Sequence, residues 1–253
     1  MRSVSAIAFF ILSLLVIGCA NRHEVAQFGS LTVHTFRRDY ANTHLLAQGD
    51  GLVLVDSGLE RNAASLEADI RDAGFEPKQI RAIVLTHGHG DHAGGARHFK
   101  EKFGVTIVAG AGDQDMLAAG KMDPLCPTDM VARSRLDEDQ NQTYRPIVAD
   151  VWIDKPKSLA ELSTVEGTIV PMAGHTPGSL VVITPQAAFV GDLFRGSIID
   201  TSAERHFYMC NEVDNDRDIR SLLGMAPAIT TFLPGHFGPV DRLAVEMRFG
   251  TGS

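Results

Sequence analysis

The sequence is poor in cysteine and short of positive charge, and each shortage excludes a class of protein. Three cysteines in 253 residues are too few for a fold held together mainly by disulfide bonds. Lysine and arginine number 23 against 31 aspartates and glutamates, which leaves a net charge of -8. Proteins that bind nucleic acid by neutralising its phosphates normally present a basic surface, so we expect no nucleic-acid partner.

Long apolar runs are also missing, because the longest, residues 6–17, covers only 12 positions. A permanent transmembrane helix needs about 20 apolar residues, so this run is typical of an export signal. It ends in Gly18-Cys19-Ala20, which resembles a bacterial lipobox. The resemblance implies that residues 1–18 are removed, that Cys19 is lipidated, and that the protein is anchored in the outer membrane facing the periplasm. A plain secretory signal or a short anchor is the alternative.

Two cysteines remain once Cys19 is assigned to lipidation. Cys126 and Cys210 form an even pair, and an exported protein meets an oxidising compartment in which such a pair can form a disulfide bond. Spacing alone does not show that the two residues are close. Two unpaired buried thiols therefore stay open as the alternative.

Apolar patterning predicts a layered α/β domain over residues 30–253, preceded by a linker at 19–29. Period-2 or continuous apolar segments predict strands at 31–36, 43–48, 52–56, 81–86, 105–109, 148–153, 168–172, 180–184, 187–191 and 229–233. Apolar residues at helical spacing predict helices at 60–73, 93–103 and 214–225, with a short helix after them. Two irregular stretches, 110–147 and 195–211, are typical of functional loops.

The segment that directly follows the strand at 81–86 carries the strongest chemical signal. His87 and His89 are two apart in extended chain and project to the same side, while Asp91 and His92 lie where the chain turns into a helix. Imidazole and carboxylate together suit Zn²⁺, with Mn²⁺ and iron as competitors. Any one of these residues has an ordinary structural role available, but four in six positions predict a metal site.

Three more candidate ligands each come directly after an apolar strand. They are His175, Asp192 and His236. Loops at strand ends are where sheet proteins commonly place ligands. Singly these residues are weak signals, since Gly-His and Gly-Asp are frequent in turns.

Together the seven residues resemble the ligand pattern of the metallo-β-lactamase superfamily, His-x-His-x-Asp-His followed by a His, a bridging Asp and a final His. The resemblance implies a four-layer αβ/βα sandwich with two divalent metal ions at the shared edge of its sheets. It assigns residues to the ions as follows: His87, His89 and His175 to the first, Asp91, His92 and His236 to the second, and Asp192 to both.

Two further residues are candidates for supporting roles. Asp56 matches the family's early aspartate, and we expect it to orient a metal ligand from behind, although it could instead cap the turn that follows it. His206 lies in the irregular stretch 195–211 and is a candidate for the substrate pocket. The other histidines, at 23, 34, 44 and 98, are expected to be structural.

Two ions that share a water lower its pKa towards neutrality and so supply a bridging hydroxide as nucleophile. Asp91 is expected to orient that nucleophile and to carry its proton. β-Lactam-cleaving members usually have Cys or Ser where Asp192 stands, whereas a carboxylate resembles glyoxalase II and lactonases. We therefore expect hydrolysis of a small ester, lactone or thioester. β-Lactam hydrolysis and non-catalytic binding of metal or a partner are the alternatives, and the oligomeric state is not indicated.

Overall fold

The computed structural model describes residues 22–250, and two β-sheets face each other at its centre. The first sheet has the strand order β1-β2-β3-β4-β5-β6-β7. Its strands are β1 (Arg22–Phe28), β2 (Leu31–Arg38), β3 (Ala41–Gln48), β4 (Gly51–Val55), β5 (Ala82–Val84), β6 (Thr106–Gly110) and β7 (Val151–Ile153). The strands from β1 to β4 pair antiparallel, and β4 to β7 pair in parallel.

The second sheet has the order β15-β14-β11-β10-β9-β8. Its strands are β8 (Lys157–Ser158), β9 (Thr168–Pro171), β10 (Leu180–Ile183), β11 (Ala187–Gly191), β14 (Thr231–Pro234) and β15 (Val240–Asp241). Strands β11 and β14 pair in parallel, while the other neighbours are antiparallel. A small separate hairpin joins β12 (Arg195–Gly196) and β13 (Ala203–Glu204).

Seven α-helices accompany the sheets in the described part of the chain. They are α1 (Ala63–Asp72), α2 (Gly90–Ala93), α3 (Ala96–Phe103), α4 (Gln114–Ala119), α5 (Met130–Gln140), α6 (Glu212–Met225) and α7 (Arg242–Phe249). Helices α1 and α3 pack on the outer face of the first sheet through Ile70 and Phe99. Helices α6 and α7 cover the outer face of the second sheet through Ile219 and Val245.

Strand alternation explains why the chain folds into four layers. In β4, Leu52 and Leu54 face the helices, whereas Val53 and Val55 face the second sheet, because successive side chains of a strand point to opposite faces. The inner core between the sheets also contains Phe189 and Leu233 from the second sheet. The central strands of both sheets therefore bury both faces, and the result is the αβ/βα sandwich that the sequence predicts.

The largest differences from the boundaries predicted from the sequence are found in three segments. The stretch 19–29 is not simply a linker, because Arg22–Phe28 forms β1 and pairs along its length with β2. The helix predicted at 93–103 begins at Ala96, after the separate turn α2. The stretch 110–147 contains α4 and α5, and α5 buries only Ala132. Since β1 and α5 are mostly exposed, neither shows the apolar stripe on which prediction depends.

The export signal at 1–18 and Cys19 lie outside the described residues. Within residues 22–250, no helix combines the length and apolarity needed to cross a bilayer.

Candidate metal centre

The predicted ligands lie at one edge of the sandwich, where strands of both sheets end. Strand β5 leads into the extended segment with His87 and His89, and α2 carries Asp91 and His92. The remaining three follow β9, β11 and β14, and these are His175, Asp192 and His236. The packing of the two sheets thus brings residues from both halves of the chain together.

Glycine residues next to the ligands allow the ligand loops to pack closely against one another. A Cβ on Gly235 would lie 2.4 Å from Asp192 Oδ1 and 2.4 Å from His92 Cε1, so a larger residue does not fit there. The amide of Gly235 donates a 2.8 Å hydrogen bond to the carbonyl of Gly191. Gly191 has a φ of +52°, a left-handed conformation that glycine adopts without steric cost.

The seven side chains form two groups of donor atoms. The first group contains His87, His89, His175 and Asp192, and the second contains Asp91, His92 and His236. Within each group the donor atoms lie within 4.8 Å of one another. These are the groups that the sequence pattern assigns to separate ions. A third group overlaps them and joins Asp192 and His236 to His206.

Asp192 occupies the middle of the cluster. Its Oδ2 lies 3.6 Å from His87 Nε2 and 3.8 Å from His175 Nε2, and it lies 3.3 Å from His92 Nε2 and 3.1 Å from His236 Nε2. One carboxylate oxygen therefore faces nitrogen donors of both groups. This is the position that a bridging ligand requires.

Asp56 lies behind the ligands and contacts one of them directly. Its Oδ2 is 2.8 Å from His92 Nδ1, and the Thr86 hydroxyl donates to the same oxygen at 2.8 Å. The backbone N–H of Thr86 donates to Asp56 Oδ1 at 2.7 Å. The carboxylate thereby holds the His92 ring with Nε2 facing the centre, which is an orienting role.

Other acceptors orient other ligands, and sequence reasoning missed them. Asp123 Oδ1 lies 2.7 Å from His89 Nε2, and the carbonyl of Tyr40 lies 2.9 Å from His236 Nδ1. Asp113 accepts hydrogen bonds from the backbone amides of Gly88 and Gly178 and so ties the two ligand loops together. Asp113 and Asp123 belong to no local motif, so no sequence signal identified them.

The electrostatics of the centre shift the pKa values of its residues in different directions. Burial lowers the pKa of His87 and of His175 well below the usual histidine value. Burial acts in the same direction on His92, but neighbouring carboxylates, led by Asp192, raise its pKa well above that value. Burial alone would raise the pKa of Asp192, yet the surrounding imidazoles, led by His206, hold it well below its usual range. His92 would have to lose its proton to bind a metal ion, so metal affinity would fall at low pH.

Buried polar atoms without a hydrogen-bond partner indicate whether a metal ion fits among these residues. His87 Nε2 and Asp192 Oδ1 are buried with no hydrogen-bond partner among the described residues. Leaving such atoms unsatisfied costs about 1–3 kcal/mol each, and a divalent cation held by His87 and Asp192 would offset this cost. The donors are imidazole and carboxylate groups, the set that Zn²⁺ accepts. The residues therefore fit a divalent metal centre.

A cavity of about 280 Å³ opens over the centre. Asp91, Asp192 and His206 are among the residues that form its floor. Its walls are largely apolar and include Met122, Leu125, Val131, Phe207 and Phe237. The guanidinium of Arg135 also lines it, but this charge is balanced by Asp139 at 3.0 Å. The cavity suits an uncharged apolar group next to the metal centre.

The two stretches predicted to be irregular form one wall of this cavity together. A disulfide bond joins Cys126 and Cys210. Next to it, the Met209 amide donates to the Cys126 carbonyl at 2.8 Å, and the Thr128 amide donates to the Phe207 carbonyl at 2.9 Å. The wall is thus crosslinked both covalently and through the backbone.

The histidines expected to be structural have partners elsewhere. His23 Nε2 lies 2.9 Å from His34 Nδ1 on the paired strand, and His98 Nε2 lies 2.8 Å from a Glu67 oxygen. His44 is buried in β3 with its Nδ1 3.0 Å from the Thr35 hydroxyl. None of these four belongs to the donor groups found among residues 22–250.

Curated proteins with similar sequences match part of the chain. Hydroxyacylglutathione hydrolase GloC of Haemophilus influenzae is 30% identical over 132 residues, which are 51% of this chain and 57% of that protein. Probable metallo-hydrolase YybB of Bacillus subtilis is 43% identical over 68 residues, which are 27% of this chain and 29% of that protein. The chain therefore spans less than two thirds of the length of these relatives.

Solved structures match the fold over most of the chain. The subclass B3 metallo-beta-lactamase BJP-1 of Bradyrhizobium japonicum has a TM-score of 0.61 at 19% identity, covering 87% of this chain and 80% of that one. MIM-1 of Novosphingobium pentaromativorans has a TM-score of 0.59 at 22% identity, covering 84% and 75%. At these identities the likeness concerns the fold alone.

A family model decides the relationship. The model described as the metallo-beta-lactamase superfamily matches residues 36–236. The match begins in β2 of the first sheet and ends at the last of the converging histidines. With the fold and the ligand order in agreement over that span, the chain belongs to the metallo-β-lactamase superfamily.

Proposed function

We propose that this protein is a hydrolase with two divalent metal ions that acts on a small ester, lactone or thioester. The observation that carries the proposal is the convergence of seven imidazole and carboxylate side chains around Asp192, beneath an apolar cavity. Zinc fits the donors best, with manganese or iron as alternatives. Bound ions of this kind supply Lewis acidity and lower the pKa of a water.

The residues of the centre have two roles, since some would bind the ions and others orient these ligands. His87, His89 and His175 would hold one ion, while Asp91, His92 and His236 would hold the other, with Asp192 shared. Asp56, Asp123 and the Tyr40 carbonyl fix the rings of three of these histidines. Rings held in this way need little rearrangement on binding, which increases affinity.

Asp91 is the catalytic residue that carries protons in this proposal. Its Oδ2 lies 3.4 Å from His236 Nε2, and its side chain also lines the substrate cavity. From that position the carboxylate takes a proton from a water that attacks the substrate carbonyl. It then returns the proton to the leaving oxygen or sulfur, as a general base followed by a general acid.

The cavity supports a substrate with an apolar group next to its carbonyl. Apolar walls favour desolvation of such a group, and the balanced charge of Arg135 provides no free cation for an anionic one. The relative from Haemophilus influenzae is named as a hydrolase of hydroxyacylglutathione, a thioester. This name supports the thioester among the three substrate types.

We also propose that the protein works outside the cytoplasm, attached through a lipid on Cys19 to the outer membrane on its periplasmic side. Two observations support the proposal. The apolar run at 6–17 ends just before Cys19, and the bond between Cys126 and Cys210 is typical of oxidising compartments. A Cys19→Ser variant should move from the membrane fraction to the soluble fraction, and membrane retention of this variant would contradict the anchor.

The test of the proposed activity measures metal and turnover on the same sample. The protein is loaded with zinc, manganese or iron, its metal content is measured, and p-nitrophenyl esters, lactones, thioesters and a cephalosporin are assayed. We expect two ions per chain and turnover of at least one ester, lactone or thioester. Asp91→Asn is the matched variant, and it should lower kcat by about 10²–10⁴-fold through the loss of the proton carrier, provided that its metal content stays at two ions per chain.

Three outcomes would contradict the proposal in different ways. Turnover of the cephalosporin alone would indicate a β-lactam hydrolase. Two bound ions without turnover of any substrate would favour a binding protein. A chain that binds no ion at all would remove the metal centre itself.

A further inference from the structure

We infer that His206 is an eighth donor to the metal centre and ligates the second ion together with Asp192 and His236. This inference rests on the proposed metal centre and adds a residue outside the family pattern described above. His206 is 4% exposed, and its Nε2 lies 3.0 Å from Asp192 Oδ2. That distance is shorter than those from the same oxygen to His92 and to His236, which are 3.3 and 3.1 Å.

The His206 ring is oriented in the same way as the rings of two assigned ligands, through a contact of its outer nitrogen with an oxygen. In His92 and His236 one nitrogen faces the centre while the other contacts an oxygen, Asp56 Oδ2 or the Tyr40 carbonyl. In His206 the inner nitrogen is Nε2, and Nδ1 lies 3.1 Å from the Tyr208 carbonyl. A metal-binding histidine typically donates its outer N–H to such an acceptor, which leaves the inner nitrogen free to bind.

The surroundings keep the ring in this place. The His206 ring stacks on that of His236 with centroids 5.1 Å apart and meets the edge of His175 at 5.0 Å. Its backbone carbonyl accepts a 2.8 Å hydrogen bond from the Thr128 hydroxyl on the facing stretch. The disulfide bond at Cys210 crosslinks the same wall. A donor on a segment fastened in this way is preorganised.

The alternative tautomer of His206 predicts a different role for this residue. The Tyr208 N–H also lies 3.2 Å from His206 Nδ1. If it donated to that nitrogen, the ring proton would reside on Nε2, and His206 would donate to Asp192 instead of binding metal. His206 would then be a hydrogen-bond partner of a ligand, and its removal would leave the ligand count unchanged.

The experiment measures stepwise metal affinity rather than activity. Metal-free full chain is titrated with Zn²⁺ against a chromophoric chelator, and with Co²⁺ while the visible d–d absorption is recorded. His206→Phe removes the donor and keeps a ring for the contacts with His175 and His236. His98→Phe is the matched control, because His98 pairs with Glu67 outside the donor groups.

We expect His206→Phe to keep the first ion, to weaken the second at least about 10- to 100-fold, and to change the Co²⁺ spectrum of the second site. His206→Asp, which supplies an oxygen donor, should restore part of the affinity, and His98→Phe should behave as wild type. If His206→Phe does not fold, His206→Asn against His206→Asp gives the same comparison.

Unchanged second-ion affinity and an unchanged Co²⁺ spectrum in His206→Phe would overturn the inference. The same holds if His206→Asp binds the second ion no better than His206→Phe. Wild-type protein that binds no ion would instead refute the proposed function, so the two failures are distinguishable.

Discussion

Asp56 is a buried side chain that contacts both the backbone of a ligand loop and a metal ligand. It follows β4 with a φ of 61°, a left-handed conformation that few residues other than Gly, Asn and Asp tolerate. Its carboxylate accepts hydrogen bonds from the backbone amide and the hydroxyl of Thr86, and it contacts His92. The same residue therefore stabilises the turn and orients a metal ligand, so the two roles need separate variants.

Asp56→Ala and Asp56→Asn separate these roles. Alanine loses every contact and is strained at this φ, so we expect about 3 kcal/mol lower stability together with weak metal binding. Asparagine tolerates the φ and still accepts the Thr86 amide, but it lacks the charge that orients His92. We expect near wild-type stability and about 10- to 100-fold weaker metal binding. Urea unfolding of the metal-free protein and a zinc titration measure the two effects, and equal metal affinity in Asp56→Asn and wild type would contradict the orienting role.

The wall of the cavity is formed by elements that are weakly attached to the rest of the molecule. Helix α5 buries only Ala132, and its preceding segment is joined to the segment at 205–211 by the disulfide bond and backbone hydrogen bonds. Tyr208 adds a 2.6 Å hydrogen bond from its hydroxyl to Asp139 on α5. With so little buried apolar surface, this wall depends on its crosslinks.

Replacing both cysteines, in Cys126→Ala/Cys210→Ala, should loosen the wall, which carries His206, while leaving the other seven ligands in place. The bond closes a loop with a sequence separation of 84, and losing such a crosslink typically costs about 2–4 kcal/mol. We expect a lower Tm and a higher KM for apolar substrates, with metal content near wild type. Calorimetry, steady-state kinetics and metal analysis check this, with reduced wild-type protein as the parallel sample. Loss of both ions in the double variant would show that the wall also positions the other seven ligands.

The whole molecule consists of two halves joined by an apolar interface and by the donor cluster at its edge. The first half contributes His87, His89, Asp91 and His92, and the second contributes His175, Asp192 and His236. Between the halves, the Leu180 amide donates a 2.7 Å hydrogen bond to the Thr86 carbonyl. A cation bound to both sets of donors acts as a link between the halves.

Removal of metal should therefore destabilise the entire domain. A ligand that binds only the folded state stabilises it by about 2.7 kcal/mol when present at 100 times its Kd. We expect chelator-treated protein to unfold at lower urea in one cooperative transition, and zinc to restore the midpoint. Asp192→Ala should show a smaller zinc response and fewer than two ions per chain. A midpoint that is insensitive to zinc in the wild type would contradict a link between the halves.

The sequence indicated the fold class and most strands because local patterning carries that information. Continuous apolar segments predicted the buried strands β4, β10 and β11, and turn glycines marked their ends. Strand β1 and helix α5 were missed because each exposes most of its side chains. The pairing of β1 with β2, and the contacts of α5 with the segment at 205–211, are visible only in the folded chain.

The sequence alone determined the identity of the candidate ligands, since His87, His89, Asp91 and His92 are neighbours in the chain and the other three follow apolar strands. Tertiary structure alone decided what surrounds them: Asp123 behind His89, Asp113 between two loops, and His206 beside Asp192. These contacts join residues from 14 to 65 positions apart. The contact between Asp113 and Gly178 crosses between the two halves, whereas the other three join loops within one half. In both cases the partners are too far apart in the chain for a local sequence pattern to indicate them.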